Sequence, residues 1–81
     1  MTPEAAQTVA TVLEEATRRL RDAGVPDPRR EAASLLAFVL NTDRGGVVAR
    51  KPDPVESGAA ARFAELIAAR ALRVPLQHLE G

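Results

Sequence analysis

Val9, Val12, Leu13, Ala16, Leu20 and Ala23 recur at steps of three and four, so on a helix they share one arc, while Glu14, Glu15, Arg18, Arg21 and Asp22 fall opposite. A strand, whose faces alternate every second residue, cannot gather that set on one side. Glu14–Arg18 and Glu15–Arg19 stand at the supporting i,i+4 spacing, and Gly24 supplies the stop. Thr2, before Pro3 and Glu4, marks the start of this helix or of a short turn leading into it. The stretch "VPDPRREAASLLAFVL" repeats the grammar: Asp27 as N-cap, Pro28 in the first turn, then Ala32, Leu35, Leu36, Val39 and Leu40 on one face, ending near Leu40. From about Val55, the residues Ala59, Ala60, Phe63, Leu66 and Ile67 make a third stripe that ends before Pro75. Arg70 lies on that arc, where its stem packs and its head reaches solvent or an acid. Between the second and third stripes, "NTDRGGVVARKPDP" reads as loop with at most a short helix after Asp43, weakened by Gly45 and Gly46 at about 1 kcal/mol each.

Composition agrees with helices. Of 81 residues, 46% are hydrophobic and 2% aromatic, and much of the apolar content is alanine, which favours close-packed helices over a sheet. The expectation is an all-α bundle of four to five helices, three long and one or two short, forming a single domain over residues 1–81. Acidic and basic residues balance at 11 each, so no net field draws the chain to nucleic acid or an anionic membrane. Cysteine is absent, which excludes disulfides and thiolate chemistry. "MTPEAAQTVA" lacks the order of a signal peptide, and "LLAFVL" is too short to span a bilayer. A soluble, cytoplasmic protein is expected.

Catalytic chemistry finds little footing. His78, the only histidine, has no cysteine or second histidine to share a metal and no serine or cysteine to activate, so a solvated or packing role is expected for it. The carboxylates lie beside arginines on charged helix faces, and Gly45–Gly46 follows no strand, so neither an acid–base pair nor a phosphate cradle is read. No catalytic, cofactor or metal residue is assigned. Two features suit binding instead. Arg29 and Arg30 occupy the first turn of the second helix, where the dipole disfavours cations, so they are slightly costly unless paired with Glu31, another acid of the fold or a partner; pairing within the fold or plain solvation is the ordinary case, and a partner contact the alternative. Phe38 lies well off the stripe of its helix and either packs on another element, the reading a small domain favours, or stands exposed as an anchor. A helix-turn-helix DNA reader needs a basic recognition helix, which these charge-balanced helices do not supply.

"AGVPDPRREAASLLAFVL", followed at distance by "PLQHLEG", resembles the N-terminal domain of the HemK/PrmC family, methyltransferases that modify the glutamine of the Gly-Gly-Gln motif in bacterial peptide-chain release factors. The matching positions are Pro28, Arg29, Arg30, Leu35, Leu36, Arg70, Pro75 and Gly81, mostly cap and core residues. The resemblance implies a helical bundle that helps dock the release factor, ahead of a Rossmann-like catalytic domain with a glycine-rich S-adenosylmethionine loop and an Asn-Pro-Pro-Tyr motif. Neither motif occurs in these 81 residues. It also implies that Pro75, Leu76, Leu79 and Gly81 form the handover to that catalytic domain, where the chain stops. From the residues themselves, Pro75 presets one terminal helical turn with Leu76 and Leu79 on one side, docked on the bundle or reserved for the catalytic domain, and Gly81 ends it. The release factor and the enzyme's own catalytic domain are the implied partners. A free-standing helical interaction module is the alternative.

Overall fold

The structure is a computed structural model that describes residues 7–73. Within them the order is α1 (Val9–Asp22), α2 (Pro28–Leu40), α3 (Arg44–Ala49) and α4 (Ser57–Leu72), three long helices and one short, with no strand among the described residues. The segment Pro75–Gly81, with Leu76, His78 and Leu79, lies outside the described residues.

α1 begins at Val9, with Thr8 as its N-cap, and Thr2 lies outside the described residues. Thr8 is extended at φ −106°, ψ 167°, and its Oγ1 accepts from the Thr11 amide at 3.2 Å. The amides of Val9 and Ala10 reach carbonyls of Asp53 (2.9 Å) and Lys51 (3.0 Å), and the Val55 amide returns to Gln7 O at 2.9 Å. The loop ahead of α4 thus consumes donors that the first turn of α1 would otherwise leave unpaired, and Thr8 and Pro54 form an isolated antiparallel bridge there. At the other end Gly24 takes φ 88°, the Val25 amide bonds Leu20 O at 3.0 Å, and Val25 folds back into the core. This six-to-one bond across a left-handed residue closes α1 at the predicted glycine. α2 closes the same way: Asn41 sits at φ 60° and the Thr42 amide bonds Ala37 O at 2.9 Å.

Asp27 precedes α2 as expected, but it does not cap with its side chain. Its backbone is left-handed (φ 55°, ψ 52°), outside the extended region from which a carboxylate reaches the first-turn amides, and only its carbonyl engages, accepting from Glu31 N at 3.0 Å. Proline at the next position disfavours the right-handed alternative for Asp27. Asp43, by contrast, is extended, and its Oδ1 accepts from Gly46 N at 2.8 Å, which starts α3 despite two glycines.

The predicted stripes are the core. Val9, Val12, Leu13, Ala16 and Leu20 of α1 meet Ala32, Leu36 and Val39 of α2 and Phe63 and Ile67 of α4, with Ala23, Leu35, Leu40, Ala59 and Leu66 half-buried at the margin. Alanine at positions 16, 32 and 37 lets the backbones approach closely. α1 packs chiefly on α2, both pack on α4, and α3 lies against α2, inserting a fully buried Val47. Thr17 is buried too, with its hydroxyl donating to Leu13 O at 2.7 Å, so no described side-chain polar atom is buried without a partner.

Candidate partner-contact surface

The arginines of "DPRRE" do not pair with an acid among the described residues. Glu31 is turned to α4, where its Oε1 accepts from Arg70 Nε at 3.0 Å, and this is the one ion pair among the described residues. Arg70 therefore meets an acid, as its place on the α4 stripe allowed, and it takes the carboxylate closest in sequence to Arg29 and Arg30. Both of those stay exposed in the first turn of α2, held where the helix dipole opposes them. The pairs Glu14–Arg18 and Glu15–Arg19 do not close either: their side chains stand in solvent, where fixing two long side chains costs as much as the contact returns.

Arg29 and Arg30 border a groove of about 380 Å³ between the start of α2 and α3. Arg44 and Lys51 complete the basic rim, against the single carboxylate of Asp27. Leu13, Ala33, Val47 and Val48 give the groove its apolar lining, and Val48 is 61% exposed. Like Arg29 and Arg30, Arg44 sits in the first turn of its helix, one residue after the N-cap Asp43. Sequence reasoning misses Arg44, Lys51 and the two valines, because "NTDRGGVVARKPDP" reads mainly as loop. The signal was present, since Asp43 as an N-cap puts Arg44 at a helix start.

Phe38 does not pack. It is 73% exposed, so the packing reading is corrected. It lies nine residues from Arg29 on the same helix, half a turn round at about 100° per residue, and it does not line the groove. The structure thus brings Arg29 and Arg30 together and leaves Phe38 on another face. Leu72, at the end of α4, is 86% exposed. Pro75, Leu76, Leu79 and Gly81 fall outside the described residues. No group of three or more His, Cys, Asp or Glu side chains that could hold a metal occurs among the described residues. Among them, too, no helix is long and apolar enough to cross a membrane.

Compared with known families, residues 11–81 match the model of the PrmC N-terminal domain. The chain belongs to the PrmC N-terminal domain family. Relatives of this PrmC N-terminal segment carry the name release factor glutamine methyltransferase. The protein from Mycolicibacterium smegmatis is 49% identical over 72 residues, covering 88% of this chain and 25% of the relative. That from Deinococcus radiodurans is 44% identical over 70 residues, covering 86% and 25%, and that from Streptomyces coelicolor 43% over 67, covering 83% and 22%. The chain spans about a quarter of the length of these relatives. No solved structure matches it.

Proposed function

We propose that this chain is the substrate-positioning domain of a release factor glutamine methyltransferase, acting in the cytoplasm in translation termination on the Gly-Gly-Gln motif of the release factor. The observation that carries this reading is the match of residues 11–81 to the PrmC N-terminal domain, together with 49% identity to a relative named for that activity. The bundle holds the release factor while a catalytic domain performs the transfer, so its contribution is orientation: a positioned glutamine loop reacts as though at a greatly raised local concentration. Arg29, Arg30 and the exposed Phe38 are the surface features available to the partner, and the exposed Leu72 lies where α4 leads toward residues 75–81 and the handover to the catalytic domain.

S-adenosylmethionine supplies the methyl group in such an enzyme, and the residues described here do not fit it. Gly45 and Gly46 lie inside α3, where the Gly46 amide is taken by Asp43, so they form no open loop that could close around a cofactor.

Calorimetry on the 81-residue chain tests the reading. The expected result is weak binding of a bacterial release factor, strengthened through effective concentration when the chain is joined to its catalytic domain, and no uptake of S-adenosylmethionine. A stoichiometric cofactor complex, or release-factor binding as tight as that of the joined enzyme, contradicts this division of labour.

A further inference from the structure

The net charge of the chain is zero, yet the rim between α2 and α3 gathers Arg29, Arg30, Arg44 and Lys51 against Asp27 alone. Two of these cations, Arg29 and Arg30, stand in the first turn of α2, where the positive dipole end adds to their field instead of offsetting it. No ion pair within the described residues relieves them, since Glu31 is committed to Arg70. Beneath the rim the apolar lining is open at Val48, 61% exposed, and at the half-buried Ala33, with Leu13 and Val47 behind them in the core. Cations around an aliphatic floor complement an aliphatic side chain flanked by carboxylates.

We propose that this groove binds an acidic segment of the release factor, its carboxylates on Arg29, Arg30, Arg44 and Lys51 and an aliphatic side chain on Ala33 and Val48. The inference rests on the docking function proposed above and names the surface and the chemistry that carry it. A polynucleotide is the poorer occupant, because no aromatic side chain lines the groove for a base to stack on.

The test is an NMR titration of the isotope-labelled 81-residue chain with a bacterial release factor, and in parallel with capped Glu-Glu-Leu-Glu-Glu and Gln-Gln-Leu-Gln-Gln peptides and a short oligothymidylate. The expected result is that the release factor and the acidic peptide shift the signals of Ala33, Arg44 and Val48, that the glutamine peptide does not, and that binding weakens as salt rises. The double variant Arg29→Glu/Arg30→Glu weakens release-factor binding about tenfold or more, whereas Arg62→Glu/Arg73→Glu, outside the groove, leaves it unchanged. Acids in the first turn of α2 suit the helix, so the first double variant keeps or raises the Tm while losing affinity, a combination that damage to the fold cannot produce. Val48→Ala supplies an uncharged second variant, expected to weaken binding at constant Tm. Unchanged affinity of the Arg29/Arg30 variant, shifts confined to another face, or tighter binding of the oligothymidylate than of the acidic peptide overturns the groove assignment while docking stands. A wild-type chain that binds no release factor overturns the docking function and this occupant with it.

Discussion

Gly46 shows how little a residue's average tendency says about its place. In a helix interior both glycines of α3 cost stability relative to alanine, but a Cβ on Gly46 would overlap the Thr42 side chain, whereas one on Gly45 would meet only Asp43 Oδ1 at 3.4 Å. Gly45→Ala is therefore expected to stabilise the fold by about 0.5–1 kcal/mol, and Gly46→Ala to destabilise it by about 1–3 kcal/mol as Thr42 is displaced. Urea titrations of the two variants check both signs. The caps divide in the same way. Thr8→Ala removes a working cap and is expected to cost about 1 kcal/mol, while Asp27→Gly removes none and relieves a left-handed backbone, leaving stability equal or higher. Sequence reading found Asp27 by its position before Pro28, but not that its backbone would turn the carboxylate away from the helix. It did not find Thr17, whose hydroxyl is satisfied within its own helix.

At the scale of elements, the three long helices were legible because each buries a stripe at the helical period, and Leu20, Leu36 and Ile67, now almost wholly enclosed, lie on those stripes. Leu36→Ala is accordingly expected to cost about 2–5 kcal/mol, a large part of the stability of so small a domain, and thermal unfolding reads it directly. What the stripes did not contain is the docking of the loop ahead of α4 on the start of α1, since carbonyls of Lys51 and Asp53 carry no side-chain signature. Nor did they contain the choice of Glu31 between its neighbours and Arg70. That pair ties the start of α2 to the end of α4, and with both side chains about a third exposed a double-mutant cycle is expected to give about 0.3–1 kcal/mol. A larger coupling would mean that the pair, and not apolar packing, sets how α2 and α4 meet.

For the whole molecule, equal numbers of acids and bases conceal an uneven distribution. The basic rim is assembled from α2, α3 and Lys51 two residues past α3, parts of the chain separated by a turn, so no single sequence segment announces it. The family was legible earlier than the site, because matching residues such as Pro28, Leu35 and Leu36 start a helix or pack its stripe, which sequence pattern records well, while a docking face is made by the relative placement of helices. The docking function itself is tested most directly by kinetics. Grafting this chain onto the catalytic portion of the Mycolicibacterium smegmatis relative, and measuring release-factor methylation with and without it, isolates what the bundle supplies. The expected KM for the release factor is lower by about a hundredfold in the grafted enzyme than in the catalytic portion alone, with the gain eroded by Arg29→Glu/Arg30→Glu. Equal KM and kcat for the two enzymes would contradict the docking function.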